Sequence, residues 1–179
     1  MLTRRRNFPA VKLGSCSRLI ARRITASEEY KNADTLLCFI PTEIEVDTHF
    51  IIDRAFADGK KVAAPRCAAE DISMDFFFIS GYSDLHKGKF DILEPREQCE
   101  ECTDFSHSLC ITPALCCGKD GSRMGYGRGY YDRFLKRYDG VSCAVIFEDF
   151  LFDSIPCEPT DVPVMMTVTE NTIYRHFRG

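Results

Sequence analysis

The chain has 179 residues, 45% of them hydrophobic and 28% charged, with a net charge of −4. That length suits one domain whose core needs no covalent staples, and the charge gives no reason to expect nucleic acid as a partner. No apolar stretch approaches the ~20 residues that span a bilayer, so no membrane partner is expected either.

Taken in chain order, residues 1–27 carry seven Lys or Arg and no acid, leaving 16 basic and 27 acidic residues for the rest. Such a start resembles a transit peptide in composition, and it equally suits a basic segment that feeds a phosphate site. Ser17 to Thr25 has helical spacing at Leu19, Ile20 and Ile24, whereas Pro9 and Gly14 oppose a continuous helix before it. Thr35 to Ile40 reads as a strand, and Thr48 to Ala57 as an amphipathic helix closed by Gly59. Val62 to Ala64 is a second strand stopped by Pro65, and Met74 to Ile79 a third. Gly81 to Gln98 is mostly turn and loop. Ser108 to Thr112 is a buried strand that leads toward a glycine-rich loop, Tyr130 to Tyr138 a helix, and Ser142 to Phe147 a strand. Val164 to Thr169 closes the chain as an edge-proximal strand. This alternation predicts an α/β three-layer, Rossmann-like fold: a mostly parallel central sheet with helices on both faces. Ligands in such folds bind at the carboxyl ends of strands.

Ten cysteines are scattered without a repeating framework. Cys38, Cys110, Cys116 and Cys143 lie in apolar runs and read as buried thiols. Cys99-Glu-Glu-Cys102 has ligand spacing, but no second pair accompanies it, which argues against zinc. No signal peptide is apparent, so reduced thiols in a cytoplasm are expected. The four histidines are dispersed and no Gly-x-Ser-x-Gly elbow is present, so nucleophilic hydrolase chemistry is not expected.

The densest chemistry lies in Gly121-Ser-Arg-Met-Gly-Tyr-Gly-Arg-Gly-Tyr-Tyr-Asp132. Glycines let backbone N–H groups approach an anion, a following helix adds partial positive charge, and Arg123 and Arg128 can hold phosphate oxygens. Asp132 is a hard oxygen ligand suited to Mg²⁺. The pattern is neither a Walker A loop nor the dinucleotide Gly-x-Gly-x-x-Gly. Tyr126 can stack on a flat ligand, while at least one of Tyr126, Tyr130 and Tyr131 is expected to face the core.

This segment resembles the signature of the 5-formyltetrahydrofolate cyclo-ligase family, Gly-x-Arg-Leu-Gly-x-Gly-x-Gly-Tyr-Tyr-Asp-Arg-Phe-Leu, with Met124 in place of Leu. Glu45-Val-Asp-Thr48, Gly59-Lys-Lys-Val62 through Pro65-Arg66, Ile92-Leu-Glu-Pro95 and Ile155-Pro156…Glu158…Asp161 resemble further family segments in the same order. The resemblance runs from about Ser17 to Glu170, which makes residues 17–179 one domain and 1–16 a divergent or truncated basic segment. It also takes Ser17 to Ile24 as part of the fold, which favours the phosphate-site reading of the basic start. It implies ATP- and Mg²⁺-dependent conversion of 5-formyltetrahydrofolate to 5,10-methenyltetrahydrofolate, with release of ADP and phosphate, by a cytoplasmic monomer whose partners are reduced folate and ATP. It assigns ATP to Arg123, Met124, Gly125, Tyr126, Gly127, Arg128, Gly129, Tyr130 and Tyr131, with Arg123 and Arg128 catalytic. It assigns the folate to Ile40, Glu45, Tyr126, Gly127, Arg128, Gly129 and Tyr130, and Mg²⁺ to Asp132 and Asp161. From spacing alone Asp161 is a turn aspartate. The family opens with a Lys-x-x-x-Arg helix that this chain lacks; Arg4, Arg5, Arg6 or Lys12 are the available substitutes. A non-catalytic folate or nucleotide binder with a defective N-terminal arm is the alternative reading. A different ATP-using transferase would keep the loop without the Glu45 region.

Overall fold

The computed structural model describes residues 1–68, 72–88 and 92–176. The chain begins with helices α1 (Leu2–Arg6), α2 (Ala10–Ala26) and α3 (Glu28–Asn32), strand β1 (Thr35–Cys38), helix α4 (His49–Ala57) and strands β2 (Lys61–Cys67) and β3 (Met74–Ile79). Short strands β4 (Leu85–Lys87) and β5 (Leu93–Pro95) precede β6 (Ser108–Thr112), β7 (Cys116–Gly118) and β8 (Arg123–Met124). Helix α5 (Tyr130–Leu135) is followed by β9 (Val141–Val145), β10 (Leu151–Phe152), β11 (Met166–Val168) and β12 (Ile173–Arg175).

The main sheet has seven strands in the order β12-β11-β9-β6-β1-β2-β3. Its five inner strands run parallel, and β3 and β12 close the edges antiparallel. Every residue of β1 and of β6 is buried, as expected for parallel strands covered on both sides. Helices α2 and α4 pack on each other, with α4 against β1 and β2, while α5 packs separately on β3. Phe134 of α5 meets Phe76 of β3 at 4.7 Å, and Tyr138 beyond α5 shares a 2.8 Å hydrogen bond with Ser108 of β6. The layered α/β architecture is the expected one. Among the described residues no helix is long and apolar enough to cross a membrane.

Several elements depart from expectation. Helix α2 begins at Ala10, seven residues before Ser17, and runs through Gly14. Pro9 does not break it because Pro9 is its N-cap, where no N–H is needed, and the Pro9 carbonyl accepts from Leu13. Gly14 is carried by the buried stripe Ser17, Ile20, Ala21 and Ile24, whose spacing puts them on one face. Strand β2 continues through Pro65 to Cys67, since β1 pairs with it only as far as Ala63 and leaves Pro65 beyond that ladder. The stretch Gly81 to Gln98 contains the antiparallel pair β4–β5; its residues 89–91 lie outside the described residues. Val164 to Thr169 supplies β11, but β12 follows it as the edge. Gly59 does end α4: its φ is +74°, and Gly59 and Lys60 donate to Phe56 and Ala55.

Candidate active site

Strand β6 does not deliver the glycine loop directly. The chain turns first through β7 and β8, which pair antiparallel in a small sheet that also holds β10. The turn between them needs Gly121. Its φ is +89°, and a Cβ there would lie 2.7 Å from the Val164 carbonyl oxygen. Val164 N–H in turn donates to Gly121 oxygen at 3.0 Å, which ties the loop to the segment before β11.

Past β8 the loop opens. Gly127 and Gly129 have φ of +82° and +66°, and α5 starts immediately after. Among the described residues, no backbone carbonyl accepts from the N–H of Gly125, Gly127 or Gly129. These groups are the cradle that the sequence suggests. Helix α5 has only six residues, so its dipole adds little and the arginines carry the positive charge.

Arg123 is 7% exposed and donates to Asp132 at 2.7 Å. Its Nε is buried without a partner, as is the hydroxyl of Tyr131, whose ring lies 5.6 Å from the guanidinium. Burial pushes the Tyr131 hydroxyl well above its usual pKa, so it remains a neutral donor. Two unsatisfied donors beside an open cradle suit an anionic ligand, because each costs free energy until something accepts from it. Asp132 Oδ1 also accepts from Val162 N–H at 3.2 Å.

The opposite wall comes from the segment that leaves β1. Glu45 is 5% exposed; Thr42 N–H and Oγ1 both donate to its Oε2 at 2.8 Å, and Tyr126 donates to its Oε1 at 3.1 Å. Burial and the neighbouring Glu45 raise the Tyr126 pKa and keep it a donor. A third segment brings Asp161, whose Oδ2 accepts from Glu158 N–H at 2.8 Å.

These three segments enclose a cavity of about 1150 Å³, lined by Ile40, Glu45, every residue from Arg123 to Asp132, and Asp161. The residues that the resemblance assigns to ATP, folate and Mg²⁺ therefore line one cavity, whereas Arg4, Arg5 and Lys12 do not. The volume exceeds the ~300–1,000 Å³ of a usual small-molecule site and leaves room for two substrates. The wall also holds residues that the sequence reading missed, among them Leu2, Thr42, Glu94 and Lys136, and of the four basic substitutes named for the N-terminal helix it holds Arg6. Lys136 sits one helical turn beyond Asp132, a spacing that could have flagged it. Arg133, which reads as a solvated surface charge, donates to the Ile72 carbonyl at 2.6 Å and to that of Arg128.

Burial pushes the Cys38 and Cys117 thiols up to about 12. They stay protonated and inert at neutral pH. Among the described residues no group of three or more His, Cys, Asp or Glu could hold a metal by itself.

A family model described as the 5-formyltetrahydrofolate cyclo-ligase family matches residues 1–170. The chain belongs to this family. The chain is 28% identical over 168 residues to 5-formyltetrahydrofolate cyclo-ligase of Mus musculus, spanning 87% of this chain and 83% of the relative. To the enzyme of Escherichia coli K12 it is 26% identical over 149 residues, spanning 79% and 81%. The solved structure of Aquifex aeolicus 5,10-methenyltetrahydrofolate synthetase superposes with a TM-score of 0.87 at 25% identity, over 99% of this chain and 90% of that one. The chain is thus an enzyme, a ligase that converts 5-formyltetrahydrofolate to 5,10-methenyltetrahydrofolate. The family match begins at residue 1 and includes α1.

Proposed function

We propose that the cavity binds 5-formyltetrahydrofolate and ATP together and closes the folate ring at the expense of the γ-phosphate. The observation that carries this reading is the convergence of Glu45, the Arg123-to-Asp132 loop and Asp161 on one cavity beside unpartnered buried donors. Arg123, Arg128 and the N–H groups of Gly125, Gly127 and Gly129 hold the triphosphate. Arg6 and Lys136, both on the cavity wall, add positive charge around it. Glu45, fixed by Thr42 and Tyr126, accepts from the N–H groups of the reduced pterin, and Ile40 packs on its ring.

The formyl oxygen attacks the γ-phosphorus and ADP leaves. N10 then closes on the activated formyl carbon, and the departing phosphate carries away both the former formyl oxygen and the N10 proton. A formamide oxygen is a weak nucleophile, so the residues act by alignment and by neutralising phosphate charge. No side chain need act as general base, because the phosphate oxygens can accept the N10 proton.

Asp132 and Asp161 offer two carboxylates on one wall, which fits Mg²⁺ held by few protein oxygens and completed by phosphates and water. Bound there, the metal would supply positive charge against the triphosphate. Ten thiols without a disulfide suit a reducing compartment, and we place the enzyme in the cytoplasm.

Purified protein mixed with MgATP and 5-formyltetrahydrofolate is expected to generate the absorbance of the methenyl product, dependent on both ATP and Mg²⁺. Asp132→Ala is expected to lower the rate at least about 100-fold, since it removes both a metal ligand and the partner of Arg123. Folate binding without product in the unmodified protein would instead favour a non-catalytic binder.

A further inference from the structure

Arg133 follows Asp132 in α5 and lines the catalytic cavity. The backbone sets its guanidinium. Nε donates to the Ile72 carbonyl at 2.6 Å and Nη2 to the Arg128 carbonyl, so one edge of the fork is spent on two peptide oxygens. The other edge, Nη1 with the second N–H of Nη2, has no acceptor among the described residues. A Cβ at Gly129 would lie 3.3 Å from Nη1, so the glycine leaves the guanidinium room beside the loop.

Arg137, four residues on, supplies the contrast. It donates to the Met74 carbonyl at 3.0 Å and pairs with Asp75, and it does not line the cavity. Both arginines fasten the same stretch of chain to the approach and start of β3, but only Arg137 meets an acid there. Among the described residues Arg133 belongs to no ion pair within 4.0 Å. A planar cation held in place with one edge open is suited to a carboxylate brought from outside.

The surroundings say which carboxylate. Ile72 stands two residues before Met74, so Arg133 lies at the β2–β3 end of the cavity, where Pro65, Cys67, Met74 and Ile92 line a mostly apolar wall. Tyr126, which donates to Glu45, is three residues from Gly129, a reach of at most ~11 Å along the chain. Arg133 is itself exposed, which puts it at the cavity mouth. 5-Formyltetrahydrofolate has the same layout: a pterin head rich in N–H donors, a flat p-aminobenzoyl spacer, and a glutamate whose carboxylates are the end that emerges into solvent.

We propose that Arg133 binds the glutamate tail of the folate. The open edge of its guanidinium holds a tail carboxylate at the cavity mouth, while Pro65, Met74 and Ile92 lie against the aromatic spacer and Glu45 receives the pterin. The proposal rests on the reading that this cavity binds the folate with its pterin at Glu45.

The test is steady-state kinetics on the full chain at saturating MgATP with two substrates, 5-formyltetrahydrofolate and 5-formyltetrahydropteroate, which lacks the glutamate. The parent is expected to convert both, with kcat/KM about tenfold higher for the glutamate-bearing substrate, the size expected of one charge-assisted contact. In Arg133→Gln that preference is expected to fall below about twofold. Arg133→Lys keeps the charge without the fork and is expected to retain an intermediate preference. Loosening of the loop alone would lower both kcat/KM values alike and leave their ratio at the parental value; that result overturns the proposal and reduces Arg133 to a brace. A parent that converts both substrates equally well also overturns it, with the reading of the cavity intact. A parent that converts neither overturns the reading of the cavity, and the role of Arg133 with it. Should Arg133→Gln fail to fold, Arg133→Met takes its place with the same ratio as readout.

Discussion

Arg123→Ala is expected to lower kcat by about 10³-fold at saturating MgATP, the size of effect seen when one preorganised donor to developing charge is removed. Three observations point to this residue. Its side chain is 3% exposed, so its charge acts with little solvent screening. Its orientation is fixed by Asp132 on one side and the Tyr131 ring on the other. Its Nε has no partner and remains available to a phosphate oxygen. Arg123→Lys keeps the charge but loses the planar fork, and it is expected to recover only part of the rate. The alanine variant should remain folded, because Asp132 is 20% exposed and keeps its bond from Val162 N–H. Rates from methenyl absorbance, set beside thermal melts, separate the two effects. An Arg123→Ala enzyme with more than a tenth of the parental kcat would show that the phosphate charge is met elsewhere, at Arg128 or Lys136.

Phe134→Ala is expected to destabilise the fold by about 3–5 kcal/mol, the range for an aromatic deleted from a packed core. Phe134 is 1% exposed and sits between Phe76 at 4.7 Å, Phe105 at 5.3 Å and Tyr138 at 5.4 Å. Helix α5 is too short to be stable by itself, so this cluster fixes its position. Tyr130, Tyr131 and Asp132 occupy its first turn, and a loosened α5 would move Asp132 away from Arg123. The variant is therefore expected to lose activity as well as stability. Urea titration at 25 °C measures the first, and the product assay the second. A loss below about 1 kcal/mol would mean that the short helix is held by its loop and not by its core face.

Much of the site was legible in the sequence because its residues cluster. Arg123 to Asp132 are contiguous, and strand β1 leads directly to Ile40 and Glu45. The inner strands were legible for a related reason: parallel strands buried on both faces are continuous apolar runs. The elements that were missed are short. β4, β5, β7, β8, β10 and β12 have two or three residues each, too few to show a period. They exist because other strands pair with them, close by in β4–β5, β7–β8 and β11–β12 and far along the chain where Cys117 meets Leu151. The start of α2 was misread for a local reason. Pro9 breaks a helix from inside but starts one from the N-cap, and composition does not distinguish the two.

By itself the sequence determined the alternation of strands and helices, the glycine cradle and its arginines, and the family. Each of these is written in adjacent residues or in a repeating period. The tertiary structure decided what meets across long separations. It brought Asp161 and Glu45 to the cavity that Asp132 lines, paired Arg123 with Asp132, and buried Arg5 while leaving Arg6 on the cavity. Three consecutive arginines are equivalent as sequence. Only the rings of Phe147 and Phe150, more than a hundred residues away, select which of them enters the core. Burial is a property of packing between distant segments, and local pattern does not contain it.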